Sequence, residues 1–348
     1  MCKLQQTKGF KFIKPLADRK NILFICGTRN QTTQMHRISE ELEECDSFFT
    51  PYYCDPPMSW LSGHGFLDFT ILGNKSAERC IHYLRDNALS IDIRGRRRAY
   101  DLVVTCADII IPKNIRSTPI VLVQEGMTDP EEFWYHAVRI LPFLPRWLGS
   151  TSTMGMSGAF EKFCVASEGY RELFIHKGVL PPKITVTGIP NFDNCGQYRH
   201  NSFPYHNFVL VCTSDSRETF RRENRKRNII RARTIAAGRT LIFKLHPNED
   251  VVRATSEISA YAPEAHVYTA GNTEEMIANC DVLITEYSST VYVGLALGKE
   301  VYSKFPMEEL ERRLPLQNGR AAVNIANVCR DVLGQRQPVE ELVAEMTY

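Results

Sequence analysis

Short apolar segments alternate with amphipathic segments along most of the chain, and this alternation limits the fold more strictly than any other feature. Apolar runs of about four to eight residues bounded by turn residues are typical of buried strands. The amphipathic stretches between them are typical of crossover helices, because parallel strands need a long connection that also covers the sheet. The pattern predicts an α/β protein built from doubly wound, Rossmann-like parallel sheets.

The alternation occurs in two series, which a polar, turn-rich stretch at 190–206 separates. Strands are predicted in the first series at 21–26, 48–53, 102–105, 120–124, 162–166 and 184–187. Strands are predicted in the second series at 208–212, 240–244, 266–269, 282–285 and 300–302. Because 348 residues exceed the size of most single cores, we predict two domains, 1–195 and 205–325. A C-terminal helix at 326–348 is expected to pack back towards the first domain.

Composition and charge exclude several classes of protein. The formal net charge of +2 is too close to neutral for a nucleic-acid binder that acts through bulk electrostatics. The eleven cysteines show no spacing typical of a zinc site, so a reducing compartment is the consistent interpretation. No apolar run has the length of a signal peptide core or a membrane span. We therefore expect a cytoplasmic protein.

The second series contains the most informative segment, in which a strand runs directly into polar residues and then into a helix. The strand at 282–285 is followed by Glu286, Ser288 and Ser289, and Thr290 lies in the first turn of the helix. Hydroxyl groups and backbone N–H groups at a helix start attract phosphate. Glu286 is placed to accept a hydrogen bond from a ribose or sugar hydroxyl. The alternative is that Ser288 or Ser289 only caps the helix.

Three segments between 163 and 303 carry a resemblance to a known family. They are NCDVLITEYSS with LGKEV at 279–301, KLHPNED at 244–250, and FCVASEGYRELFIHKGVLPPKITVTGIPNFD at 163–193. In this order they resemble motifs of the CDP-glycerol glycerophosphotransferases and of related GT-B enzymes that build bacterial surface polymers. The resemblance implies a GT-B fold, in which two Rossmann-like domains face a central cleft.

The same resemblance implies that the C-terminal domain holds a nucleotide-activated donor as substrate, without a further cofactor. It implies that His246, at the end of a strand that Pro247 stops, contacts the phosphates of the donor. Lys244 precedes it in the motif, and Ser214 follows the first strand of the second series. We expect no metal, since no DxD-like pair stands at a strand end.

The first series offers candidate residues after two strands. Gly27, Thr28 and Arg29 form a turn that resembles the FGTRPEAIKM start of UDP-N-acetylglucosamine 2-epimerases. Arg29 could clamp an anion there, and the glycine could equally serve a tight turn alone.

Glu125 follows the strand at 120–124, where the glycerophosphotransferases have a His-Gly pair that supplies the catalytic base. We expect Glu125 to deprotonate an acceptor hydroxyl, with Asp129 as the second candidate.

The predicted function is the transfer of a glycosyl or glycerophosphate-like group to an acceptor hydroxyl in the synthesis of a bacterial capsule, teichoic acid or lipopolysaccharide. The acceptor is expected to be a glycan or a lipid-linked molecule. One alternative is an enzyme like the 2-epimerases, although Ser288 and Ser289 stand where that family continues with DSGG and a glutamate-bearing helix. The other alternative is a protein that binds nucleotide sugars without catalysis.

Two further segments could contact the inner membrane. The segment EEFWYHAVRILPFLPRWLG at 131–149 is either a packed helical insert or an interfacial segment near a lipid-linked acceptor. The basic segment at 216–233 falls in a helix predicted from about Arg217 to Ala237, and it is either a solvated helix face or a contact for anionic head groups.

Overall fold

The computed structural model describes residues 19–67, 70–141, 143–214, 216–218 and 223–334. Within this part of the chain, two sheets form, and every strand pair in both is parallel. The strands of the first sheet are β1 (Asn21–Cys26), β2 (Asp46–Pro51), β3 (Leu102–Thr105), β4 (Ile120–Val123), β5 (Lys162–Val165) and β6 (Ile184–Val186). The strands of the second sheet are β7 (Val209–Cys212), β8 (Leu241–Lys244), β9 (His266–Tyr268), β10 (Val282–Ile284) and β11 (Glu300–Tyr302).

The strand order confirms the predicted α/β class with two doubly wound sheets. The six strands of the first sheet lie in the order β2-β1-β3-β4-β5-β6, and the five of the second in the order β11-β10-β7-β8-β9. The central strands β3, β4, β7 and β8 are buried along their whole length. Strands that are covered on both faces are expected to be continuously apolar, which is why the sequence predicted them within one residue at either end.

Helices cover both sheets, and most strands are followed by one helix. The helices are α1 (Arg29–Glu40), α2 (Met58–Gly63), α3 (Asn74–Asp86), α4 (Phe133–Ile140), α5 (Glu168–His176), α6 (Arg225–Ala236), α7 (Val251–Tyr261), α8 (Thr273–Asn279), α9 (Thr290–Ala296), α10 (Met307–Arg312) and α11 (Ala321–Val332). None of the helices in the described ranges is long and apolar enough to cross a membrane.

Helix α1 begins at Arg29, immediately after the first strand and its turn. Thr28 is its N-cap: the Thr28 hydroxyl accepts a hydrogen bond from the backbone N–H of Gln31, and the Gln31 side chain accepts one from the backbone N–H of Thr28. This reciprocal capping box satisfies two N–H groups that an uncapped helix would leave without partners. The apolar side chains of Met35, Ile38 and Leu42 are buried against the first sheet.

The basic segment of the second domain forms a shorter helix than its charge pattern indicates. Helix α6 begins at Arg225, and the side chain of Asn224 accepts a hydrogen bond from the backbone N–H of Arg227. Residues 216–218 form a turn, so the predicted start of a helix at Arg217 is wrong. The residues at 219–222 lie outside the described part of the chain.

After the second sheet the chain returns to the first. Helix α11 contacts α1, β4 and β5. The backbone N–H of Ala321 donates to Asp193 Oδ2 at 2.8 Å, and Asn324 Nδ2 donates to the carbonyl oxygen of Thr187 at 3.2 Å. The segment expected to be helical at 326–348 extends past residue 334, outside the described residues.

Candidate active site between the two sheets

Three neighbouring strands of the second sheet deliver polar residues to one edge. Ser214 follows β7, His246 follows β8, and Ser288 follows β10. Because β7 lies between β8 and β10, and strands are spaced by about 4.8 Å, the three strand ends lie within about 10 Å. Ligands of open parallel sheets bind at this carboxyl edge.

Hydrogen bonds from backbone N–H groups hold the loop that carries His246. The His246 N–H donates to Thr213 Oγ1 at 3.0 Å and to Glu249 Oε2 at 3.1 Å. The backbone N–H of Asn248 donates to His246 Nδ1 at 3.3 Å. With Nδ1 as an acceptor, the proton of a neutral imidazole lies on Nε2.

Glu286 is partly engaged by neighbouring side chains. Asn228 Nδ2, on α6, donates to Glu286 Oε1 at 2.6 Å, and Lys304 Nζ lies 3.0 Å from Glu286 Oε2. Since a carboxylate has about four acceptor positions, these contacts leave capacity for a ligand hydroxyl. They also fix the orientation of the carboxylate.

The serines at the start of α9 have different partners. Ser288 Oγ lies 2.9 Å from Thr290 Oγ1 and accepts the backbone N–H of Thr290 at 3.4 Å. Ser289 occupies the cap position, but its side chain makes no cap hydrogen bond. Its Oγ instead accepts the backbone N–H of Met127, in the first domain, at 2.9 Å. Ser288 therefore bonds the helix start, and Ser289 joins the two domains.

Lys244 is separated from this group. Its side chain is buried, and its Nζ donates to the carbonyl oxygen of Leu245 at 3.1 Å. Burial lowers the pKa of this ammonium group. The structure does not present Lys244 on the open edge with His246 and Ser288.

In the first domain, the predicted turn after β1 and the predicted base after β4 come together. Thr28 Oγ1 donates to Glu125 Oε1 at 2.6 Å, and Gln31 Nε2 donates to Glu125 Oε2 at 2.6 Å. Burial raises the pKa of Glu125, while the hydrogen bonds from Thr28 and Gln31 act in the opposite direction. Gly27 is buried at the start of this turn, and the exposed Arg29 opens α1.

Gln31 is a functional candidate that the sequence analysis missed. The capping-box spacing of Thr28 and Gln31 was the available signal. A capping box predicts the local hydrogen bonds of a helix start, but not the carboxylate that its side chains hold.

Asp129 connects the loop after β4 to the segment Arg146–Thr153. Its backbone N–H donates to Thr151 Oγ1, and the Thr151 hydroxyl donates to Asp129 Oδ2, both at 2.8 Å. Asp129 thus stabilises the loop that contains Glu125.

The carboxyl edges of the two sheets meet at several points. Besides the Met127–Ser289 hydrogen bond, the hydroxyls of Tyr170 and Tyr292 lie 2.7 Å apart in a buried environment. Arg79 Nη1, on α3, donates to Asn248 Oδ1, in the loop of His246, at 3.3 Å. The candidate donor and acceptor residues therefore lie on opposite sides of one interface.

A buried ion network supports the donor side and was also missed by the sequence analysis. Arg225 pairs with Glu249, whose side chain is fully buried, and Arg225 Nε lies 3.0 Å from Glu223 Oε1. Asn228 links this network to Glu286, because its Nδ2 also lies 3.4 Å from Glu223 Oε1. Burial raises the pKa of Glu223, with a contribution from Glu286. Charge periodicity along α6 indicates an exposed face but not these tertiary partners.

Two parallel, doubly wound sheets that meet at their carboxyl edges, with a last helix returning to the first sheet, define the GT-B class of fold. Solved structures at low sequence identity share it. MnaA from S. aureus in complex with UDP has a TM-score of 0.56 at 13% identity, covering 92% of this chain and 99% of that chain. The UDP-GlcNAc 2-epimerase from Neisseria meningitidis bound to UDP-GlcNAc has a TM-score of 0.52 at 12% identity, covering 91% and 100%.

The wall teichoic acid polymerase TagF has a TM-score of 0.52 at 13% identity, covering 90% of this chain and 89% of that chain. No family model matches the sequence, and no curated protein matches it. Members of both groups of proteins that the sequence resembles thus share its fold, which confirms the predicted GT-B fold.

Proposed function

We propose that this chain is a GT-B transferase that moves a glycosyl or glycerophosphate-like group from a nucleotide-activated donor to an acceptor hydroxyl. One observation carries the proposal: Ser289, beside the candidate phosphate-binding hydroxyls, accepts the backbone N–H of Met127, two residues from Glu125. The predicted donor residues and the predicted base therefore belong to one interface. The product is a bacterial surface glycan such as a capsule, teichoic acid or lipopolysaccharide.

On the donor side, the proposed contacts are with the phosphates. His246 Nε2 and the hydroxyls of Ser214, Ser288 and Thr290 supply donors at adjacent strand ends. These groups offset the charge that develops on the nucleotide phosphate as it leaves. Glu286, held by Asn228 and Lys304, accepts a hydrogen bond from a ribose or sugar hydroxyl. This proposal invokes neither a metal nor a further cofactor.

On the acceptor side, Glu125 serves as the general base. The acceptor oxygen forms a bond to the transferred carbon or phosphorus, the bond from that atom to the nucleotide phosphate breaks, and the acceptor proton passes to a Glu125 carboxylate oxygen. Burial raises the pKa of Glu125, which makes its carboxylate a stronger base and favours this proton transfer. Thr28 and Gln31 orient the carboxylate, and Asp129 supports its loop. We place the reaction in the cytoplasm, at the inner face of the membrane.

Donor binding and turnover can be tested separately. Wild-type protein is screened by thermal shift against CDP-, UDP-, GDP- and CMP-linked donors, since a ligand that binds only the folded state raises its stability. Glu125→Gln should retain the shift and lose turnover, whereas Ser288→Ala should weaken the shift. Robust turnover of a different substrate class, with none of any nucleotide-linked donor, would contradict the proposal.

An epimerase is the second candidate, because the UDP-GlcNAc 2-epimerase from Neisseria meningitidis bound to UDP-GlcNAc shares the fold over its full length. An epimerase would interconvert a UDP-sugar in the absence of any acceptor. A transferase would leave that sugar unchanged until an acceptor was added. Incubation of UDP-GlcNAc with the protein alone, followed by chromatography, distinguishes the two functions.

A further inference from the structure

All three tryptophans of the chain are exposed, and all lie in the first domain. The exposed fractions are 59% for Trp60, 49% for Trp134 and 46% for Trp147. Tryptophan side chains are well buried on average. They are enriched at interfaces where one side of the ring contacts an apolar phase and the other contacts water. Three exposed tryptophans in one domain therefore require a physical reason.

Further exposed apolar side chains accompany the tryptophans. Phe143 is 79% exposed and Ile140 is 74% exposed, and Phe66 stacks on Trp60 with ring centroids 6.5 Å apart. We call the following six residues the aromatic surface: Trp60, Phe66, Trp134, Ile140, Phe143 and Trp147. Large exposed apolar patches mark sites that contact another protein or a membrane.

The two parts of the aromatic surface adjoin each other. Met58, the first residue of α2, lines a cavity of about 300 Å³ together with Arg146. Trp60 lies on α2, and Trp147 directly follows Arg146. Helix α4, which carries Trp134 and Ile140, contacts the segment Arg146–Thr153. Tyr135 and Val138 of α4 are buried while Trp134 and Ile140 are exposed, so this helix packs along one face and leaves the other open.

Basic residues border the aromatic surface. Lys113 and Arg116 line the same cavity as Arg146. Asn114 Nδ2 donates to the carbonyl oxygens of Arg94 and Gly95, at 3.0 and 3.3 Å, and so attaches an arginine-rich loop to this border. The loop has four arginines within five residues, RGRRR at 94–98, and their side chains are exposed. A chain of formal net charge +2 thus concentrates cations beside its exposed aromatic rings.

We propose that the aromatic surface and its basic border bind a bilayer that contains anionic lipids. Aromatic rings occupy the boundary between head groups and acyl chains, and each lysine or arginine near the surface strengthens binding to anionic lipid. The combination of charge and apolar rings favours this occupant over a second copy of the chain, whose identical cationic border would repel it. The proposal stands on exposure and charge and does not depend on the donor chemistry.

Docking at this face would have a functional consequence. The loops that carry the aromatic surface follow β2 and β4, and Lys113 and Arg116 of its border follow β3. Glu125 follows β4 at the same sheet edge. Docking would place the acceptor side of the cleft beside the lipid head groups. The basic helix α6 belongs to the second sheet and is the competing candidate for the membrane contact.

The positions of the tryptophans provide a direct test. The full chain is mixed with vesicles of phosphatidylcholine, with or without phosphatidylglycerol. With phosphatidylglycerol present, we expect the protein to sediment with the vesicles and its tryptophan emission to shift to shorter wavelength, and added salt should reverse both effects. Absence of binding to either vesicle would overturn the proposal, as would binding that leaves tryptophan emission unchanged.

Two pairs of variants locate the binding face while keeping all three tryptophans. Ile140→Ser with Phe143→Ser should lower vesicle binding by about tenfold or more, whereas Val252→Ser, at an 82% exposed position on α7, should not. Arg96→Glu with Arg97→Glu should also lower binding by about tenfold or more, whereas Arg227→Glu on α6 should not. Equal loss in Val252→Ser, or loss only in Arg227→Glu, would overturn the assignment.

Two controls separate lipid binding from unfolding and from self-association. The substituted side chains are exposed, so thermal unfolding should stay close to that of the wild type, and so should the thermal shift with a nucleotide-linked donor. Loss of lipid binding can therefore be distinguished from failure of the proposed transferase function. Gel filtration provides the second control: a dimer that Ile140→Ser with Phe143→Ser dissociates would show that the surface binds a second copy instead.

Discussion

The backbone N–H of Met127 donates to Ser289 Oγ at 2.9 Å, and this hydrogen bond crosses the interface between the two domains. Gly126 lies beside it with no side chain. A Cβ at residue 126 would stand 2.3 Å from Ser289 Oγ and 3.1 Å from Ser289 Cβ. The close approach of the two sheets at this point therefore depends on glycine at 126.

Gly126→Ala is expected to weaken the closed arrangement of the domains. Overpacking of this kind typically costs about 1 to 3 kcal/mol. The backbone at 126 has no positive φ, so the effect would come from the contact and not from backbone strain. We expect kcat/KM for transfer to fall by about tenfold or more, measured with saturating acceptor.

Ser289→Gly provides the matched control for this substitution. It removes the two Ser289 atoms that the new Cβ would approach too closely. The double variant Gly126→Ala with Ser289→Gly should be more active than Gly126→Ala alone. If Gly126→Ala is as active as the wild type, the contact has no part in catalysis.

The pH dependence of the transfer rate should report the ionisation of Glu125. The base must be ionised, so activity rises with pH through its pKa, which burial raises above the usual glutamate range. The hydrogen bond from Gln31 favours the charged form and lowers this pKa. Gln31→Ala should therefore move the acidic limb of the kcat/KM profile to higher pH. An unchanged limb would show that another group is the base.

Glu249→Gln should destabilise the donor side of the second domain. The buried guanidinium of Arg225 loses its contact with Glu249 and keeps Glu223 as a carboxylate partner. The loss should therefore stay below the about 3 to 5 kcal/mol that breaking a buried ion pair typically costs. Urea unfolding should show the loss, together with weaker donor binding, because Glu249 also accepts the N–H of His246. Glu264→Gln, which affects an exposed pair with Arg233, serves as the control and should change stability little.

Lys177 should make stability depend on pH in the alkaline range. Its Nζ is buried and donates to the carbonyl oxygen of Ser152 at 2.8 Å, and burial lowers its pKa from 10.5 to about 8. Between pH 8 and 10.5 the unfolded state binds more protons at this lysine than the native state, so its contribution to stability rises with pH. That contribution is lost as pH falls through about 8.

The variant Lys177→Met isolates this effect from the buried cysteines, whose raised pKa values act in the opposite direction in the same range. The free energy of unfolding of the wild type, minus that of Lys177→Met, should increase from pH 8 to pH 10. A difference independent of pH would show that Lys177 keeps an ordinary pKa.

Local sequence pattern predicted the bounds of three strands at both ends, in the centre of a sheet and at its edge alike. The bounds of β1, β3 and β11 agree with the sequence prediction at both ends. By contrast, β2 begins at Asp46 instead of Phe48, because the register of parallel pairing sets it opposite Asn21 in β1. Strand propensity is a local property. It carries no information about the register in which a strand pairs with a partner far along the chain.

The sequence by itself determined two α/β series and the residues that follow each strand, because period and turn chemistry are local properties. It could therefore place Ser214, His246 and Ser288 at strand ends, and Glu125 likewise. Tertiary structure alone decided which of these residues meet.

The hydrogen bonds of Glu125 with Thr28 and of Ser289 with Met127 join residues 97 and 162 positions apart. Strand order and the approach of two sheets create such pairs, and side-chain periodicity carries no information about either. The same reason explains why the ion pair of Arg225 with Glu249 was visible only once α6 was packed against the loop after β8.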